Sequence, residues 1–205
     1  MLSPGFDLSP GQILATAFGT RLEDHTALDV TYDRMSGAVG SLLLVWAGIE
    51  RSARNEVIQA YGGLPKSAHN ISGLLRTWES TVIAGHPAAS LCPSLAKVLH
   101  AKLQGPLAVR NGICHGLIGV WAAGEDRTAA LHWEINGKQH AIEWHELQAS
   151  LAWLSKIRGA FSIISSSSIE GLGNRAVDNP ENREWWLKEY DLSLPIDAHN
   201  KTGDC

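Results

Sequence analysis

The residues best equipped for chemistry lie in one short run, Arg110-Asn111-Gly112-Ile113-Cys114-His115. Arginine stays charged at neutral pH and presents a planar fork of donors that fits paired oxygens of an anion. Histidine gains and loses its proton near neutrality, which suits it to general acid or base work. Asparagine brings an amide that both donates and accepts hydrogen bonds. Such a set can hold an anion, move a proton and stabilise charge that develops in a reaction.

Placed on a helix at about 100° per residue, Val109, Ile113, Leu117, Val120 and Trp121 form one apolar stripe. Asn111 and His115 point to nearly the opposite side, away from a core. Gly112, Gly116 and Gly119 make a narrow third strip beside His115. Each helical glycine costs roughly 1 kcal/mol against alanine, and glycine at this spacing admits a close neighbour. The expectation is a second helix packed on that strip, with the three glycines at a dimer interface. Arg110 and His115 stand about 140° apart on the wheel. Either the long arginine bends round, or the arginine of one subunit serves the histidine of another, and the second arrangement is the one expected.

Glu50 and Arg54 form a second constellation, four residues apart on an earlier helix. Glu50 falls within that helix's apolar stripe, where a carboxylate needs a partner. A structural pair with Arg54 is expected, and Arg110 is also within reach, so Glu50 would support the site by holding Arg110. Other candidates are weaker. His132, His140 and His145, like His86 and His100, match no metal-ligand spacing. Cys114 reads as a small buried cysteine rather than a nucleophile. Trp133 and Trp144 read as packing a hairpin onto the helices, although either is able to stack on a base. Neither a phosphate loop nor a dinucleotide glycine pattern is present.

The elements that must position these residues follow from periodicity. Met35, Val39, Leu42, Trp46, Ile49, Ala53 and Val57 recur at three- and four-residue steps, predicting a helix over about 28–61 that stops at Gly62-Gly63-Leu64-Pro65. A second helix is predicted from Asn70 or Ser72 to about Ala84, and a third over roughly 90–102. Gln104-Gly105-Pro106 reads as a turn, with Pro106 opening a fourth helix to about Ala122 that carries the motif. The segments 129–135 and 138–143 flank Asn136-Gly137, a strong hairpin signal. A fifth helix is predicted over 144–164, then a flexible break at Ser165–Ser168 and a short helix over 181–190. A short helix around Gln12–Phe18 is possible near the start. The fold class is therefore all-α, an antiparallel bundle of about five helices with one β-hairpin insertion at about 129–143. Residues 1–27 form an arm, 28–168 the helical domain, and 169–205 an extension with a loose tail.

Composition narrows the function classes. The 205 residues are 44% hydrophobic and 19% charged, with eight tryptophans, which is enough to bury a substantial core. A net charge of −4 excludes coating nucleic acid through bulk electrostatics, but not a small local basic site. Three cysteines without a C-x-x-C pair suit a reducing compartment. The start of the chain has no basic and apolar leader pattern, and its longest apolar run, of about twelve residues, is shorter than the roughly twenty that span a bilayer. A cytoplasmic protein without membrane partners is expected.

Arg110-Asn111-x-x-x-His115, late in a set of helices, resembles the signature of the HEPN superfamily: an arginine, a polar residue, then a histidine four to six positions after the arginine. Ile49-Glu50-Arg51-Ser52-Ala53-Arg54 on the long first helix is similar to that family as well. The resemblance covers about residues 28–165. It implies a helical bundle that dimerises with two motifs facing across a cleft. Many members cleave RNA without metal, some as toxins or antiviral effectors, and others are binding modules. On this resemblance RNA is the substrate and supplies its own nucleophile, the ribose 2′-OH. His115 would be general acid or base, Arg110 the phosphate clamp and Asn111 the orienting residue, with no cofactor and no metal. A homodimer is expected, and an antitoxin protein is a possible partner. The alternative is a non-catalytic module binding a nucleotide or protein through the same cleft, and beyond it a purely structural role in an assembly.

Overall fold

Thr31 begins the first helix: its hydroxyl accepts the N–H of Arg34 at 3.3 Å, occupying a donor that the helix start leaves over. Helix α1 then runs Tyr32–Tyr61 and ends at Gly62, whose φ of 72° suits glycine and whose N–H bonds the Ile58 carbonyl. The computed structural model describes residues 30–125, 127–166 and 174–195. The expected arm and its short helix at Gln12–Phe18, Ser167 and Ser168 of the serine break, and the tail from 196 lie outside the described residues.

After a 3₁₀ turn at Lys66–Ala68, Asn70 caps α2, Ile71–Gly85. Helix α3 spans Cys92–Gly116 without interruption. The expected turn at Gln104-Gly105-Pro106 is therefore absent, and the predicted third and fourth helices are one. Proline within a helix costs about 3 kcal/mol. Leu95, Leu99, Leu103 and Leu107 recur every four residues and are at most 3% exposed, so burial on both sides of Pro106 outweighs the lost backbone bond.

The second difference follows directly. The helix predicted to reach Ala122 stops at Gly116, and Leu117–Trp121 is strand β1. Strands β2, Ala130–Ile135, and β3, Lys138–Glu143, make the predicted hairpin, with φ positive at both Asn136 and Gly137. β1 pairs antiparallel with β2, matching Gly119 to His132 and Trp121 to Ala130, with a register shift between Leu117 and Gly119. The insertion is thus a three-stranded antiparallel sheet in the order β1-β2-β3. Leu131, Trp133 and Ile142 turn to the core, and Ala130, His132 and Glu134 alternate to the other face.

Glu143 caps α4, Trp144–Ser165, through a reciprocal capping box with Glu146. α4 packs mainly on α1, α1 also meets α2, and α2 meets α3. The shared core centres on Trp46, Trp78 and Phe161, the last two with rings 4.5 Å apart. Helix α5, Pro180–Tyr190, belongs to the same core: Trp186 is 1% exposed, and Leu192, just before the tail expected to be loose, is fully buried. Trp153 donates to the Tyr190 carbonyl at 2.8 Å, and Lys102 pairs with Asp191. The protein is mainly helical with one small sheet, and among the described residues no helix is long and apolar enough to cross a membrane.

Candidate functional site

Arg110, Asn111 and His115 occupy the last two turns of α3, immediately before β1. His115 is exposed, as its position off the apolar stripe predicts, whereas Ile113 is 6% exposed and faces the core. Arg110 is half-buried and donates from Nη1 to Oδ1 of Asn111 at 3.0 Å. Asn111 is one helical turn before His115, so this bond draws the guanidinium round the helix towards the histidine's face. The bond lies within one chain and turns the guanidinium part of the way across the 140° gap. Arg110 has no carboxylate partner among the described residues, and its Nε is shielded without a hydrogen bond. A half-buried cation without a counter-ion favours an anion beside it.

The glycine strip is filled by the chain itself. A Cβ on Gly112 would stand 2.2 Å from Nε1 and 2.3 Å from Cδ1 of Trp133. One on Gly116 would stand 2.1 Å from the carbonyl oxygen of Glu134. Gly119 lies in β1 rather than in the helix, where a Cβ would come 2.9 Å from Nε1 of Trp121. The close neighbour of Gly112 and Gly116 is strand β2, not a second helix, and that of Gly119 is Trp121 on its own strand. Gly112 and Gly116 are therefore closed to a partner subunit, which corrects their placement at a dimer interface.

Glu50 bonds Arg54 at 2.8 Å, the predicted i, i+4 pair. Their side chains are 31% and 35% exposed, so Glu50 is not the buried carboxylate its stripe position suggests. No hydrogen bond joins it to Arg110 among the described residues, which leaves Glu50–Arg54 and Arg110–Asn111 as two separate pairs. Cys114 is exposed, not buried, because α3 turns Cys114 and His115 outward together at its end.

Four of the remaining histidines find structural partners. His100 pairs with Glu79, tying α3 to α2, and His86 bonds the Val82 carbonyl at 3.0 Å. His140 stacks on Trp133, with rings 5.7 Å apart and 13° from parallel. His132 lies against Trp121 with centroids 3.9 Å apart. Among the described residues no group of three or more His, Cys, Asp or Glu could hold a metal ion. A polar groove of about 450 Å³ between α1 and α4, lined by Ser52, Asn55, Glu56, Ser155, Arg158 and Ser162, shares no residue with the motif.

Trp121 is the residue that helical periodicity misassigns. Placed on the apolar stripe it should be buried, yet it is 46% exposed on β1, next to Leu117 at 42% and Ile118 at 57%. The β-branched and aromatic content of Leu117-Ile118-Gly119-Val120-Trp121 was the available strand signal. Comparison of the chain with known protein families, with curated proteins and with solved structures gives no match.

Proposed function

We propose that the end of α3 is the active site of a metal-independent endoribonuclease of the HEPN type. The observation that carries this reading is a half-buried Arg110 with no carboxylate partner, bonded to Asn111 one turn before an exposed His115. The guanidinium binds the scissile phosphate and offsets the charge of the crowded phosphorus in the transition state. The ribose 2′-oxygen attacks the adjacent phosphorus, the bond from phosphorus to the 5′-oxygen breaks, and His115 accepts or returns the proton that this exchange moves. Asn111 keeps the guanidinium directed at the phosphate. The products carry 2′,3′-cyclic phosphate and 5′-hydroxyl ends.

The substrate supplies the nucleophile and Arg110 the positive charge, so cleavage is expected to continue in EDTA, while DNA of the same sequence survives. His115→Ala lowers the rate by about 10²–10⁴ without loss of fold, since the imidazole is exposed. Arg110→Lys recovers only part of what Arg110→Ala loses, because a point charge replaces a fork. Wild-type cleavage by purified His115→Ala protein would falsify the mechanism. Binding of a nucleotide without any cleavage by the wild type would instead favour the non-catalytic module. A homodimer, implied by the family resemblance, would have to form through a surface other than Gly112 and Gly116.

A further inference from the structure

Helix α1 carries two lengthwise seams, and the core uses only one of them. The inner seam, from Met35 to Val57, is buried. The outer seam is Asp33, Gly37, Gly40, Leu44, Ala47 and Arg51, which advance by four and three residues in turn. That is the spacing of a helix that packs along a second helix. All six are exposed, Leu44 by 72%. Among the described residues α1 holds five of the eleven large hydrophobic side chains that stand exposed. Two of the seam positions are glycines that nothing in the chain explains. A Cβ on Gly37 or Gly40 would meet nothing within 4 Å, whereas Gly112 and Gly116 leave room for β2. Glycine inside a helix is less favourable than alanine, and no contact among the described residues requires either one.

We propose that this seam pairs with the same seam of a second copy, the two α1 helices lying antiparallel across a two-fold axis. The proposal is independent of the ribonuclease reading and does not involve the Arg110–His115 motif. In the register that sets Leu44 opposite Gly40, Gly37 faces Ala47 and Asp33 faces Arg51. Leu44 of each copy then fills the space left open above Gly40 of the other, and the small residues let the two backbones come close. The charges fit the same register. Neither Asp33 nor Arg51 has an ion-pair partner among the described residues. They lie about 27 Å apart along the helix, at 1.5 Å per residue, too far to pair within one chain. The antiparallel register brings them together twice. A parallel pair would instead set Leu44 on Leu44, leave Gly40 facing Gly40 and place like charges opposite each other.

Sedimentation equilibrium of the full chain, from micromolar to submillimolar concentration, is expected to show a monomer and a dimer in exchange. Leu44→Arg weakens the dimer by more than about 100-fold, because two copies of the side chain leave the centre of the contact. The fold of the protomer persists, read by circular dichroism, since Leu44 touches water in the monomer. Asp33→Arg weakens the dimer about 10-fold through two repelling pairs, and Arg51→Asp does the same. Combining Asp33→Arg with Arg51→Asp restores an affinity near that of wild type, because each pair is rebuilt with its signs exchanged. Wild type that stays monomeric throughout overturns the proposal, as does a dimer that Leu44→Arg leaves intact. Failure of the double variant to recover overturns the antiparallel register. A monomeric wild type whose melting temperature falls on Leu44→Arg overturns it as well, and assigns the face to residues 1–29 of the same chain.

Discussion

Replacing Gly112 by alanine tests whether the motif helix is clamped by its own sheet. Alanine is favoured over glycine within a helix by about 1 kcal/mol, so an unobstructed site would gain stability. Gly112 is obstructed: the new Cβ would lie 2.2, 2.3 and 2.6 Å from three atoms of the Trp133 indole. Carbon and nitrogen atoms rest at about 3.5–4.0 Å, so the indole must move by more than an ångström. Trp133 is only 6% exposed and is flanked by the His140 ring, and overpacking such a site costs typically 1–3 kcal/mol. The net expectation is a loss of about 0–2 kcal/mol, or at most roughly 8 °C in melting temperature for a chain of this length. Gly105→Ala on the same helix meets nothing within 4 Å and is expected to raise the melting temperature instead. Urea denaturation of both variants decides the matter. Trp133→Phe combined with Gly112→Ala should show a coupling above about 0.5 kcal/mol. Gly112→Ala as stable as Gly105→Ala would refute the clamp and reopen the strip to a partner.

Glu50→Gln is expected to cost less than about 0.5 kcal/mol, because its ion pair with Arg54 is a third exposed to water; a loss of several kcal/mol in chemical denaturation would mean that the carboxylate is buried after all. Trp186→Ala should cost about 3–5 kcal/mol in the same assay, since the indole is 1% exposed and donates to the Arg175 carbonyl at 2.9 Å; a neutral effect would separate α5 from the core. The Asp178 carboxyl is held below its ordinary range by hydrogen bonds from Arg183. Its contribution is therefore complete above the unfolded value, about 4, and is lost as pH falls through the lower folded value. With Asp178 37% exposed the effect is at most about 1 kcal/mol, so the melting-temperature gap between wild type and Asp178→Asn should close in strong acid, and a gap that persists there would refute the assignment.

Much of the architecture is readable from residue order because it depends on local rules. The α1 stripe from Met35 to Val57, the Gly62 stop, the Asn136-Gly137 turn and the α4 helix all follow from periodicity and capping. The exposure of His115 does too. What could not be read was decided by tertiary contacts. Pro106 carries a strong turn signal, and only the leucines packed on both sides of it show why the helix continues. The glycines at 112, 116 and 119 correctly announced a close neighbour, but spacing alone does not say which element comes close. For Gly112 and Gly116 the answer was strand β2 of the hairpin, against which α3 lies, while Leu117–Trp121, whose apolar positions also fit a helical stripe, pairs with β2 as strand β1. Glu50 was assigned to the core by its phase, although a carboxylate at the border of a stripe can lean out to water and to Arg54.

An unbroken α3 also governs which sequence changes the protein tolerates. Its 25 residues extend roughly 37 Å, from the segment where Leu91 bonds the Ala176 carbonyl to the turn that carries His115. Had Gly105-Pro106 been a loop, residues could be added or lost there with little effect on the motif. In a continuous helix, one inserted residue rotates everything beyond it by about 100° and advances it by 1.5 Å. Arg110, Asn111 and Gly112 would then leave their register with Trp133, while Leu95 and Leu99 kept theirs. Relatives of this chain are accordingly expected to keep the spacing from Leu95 to His115 fixed and to vary in length between helices.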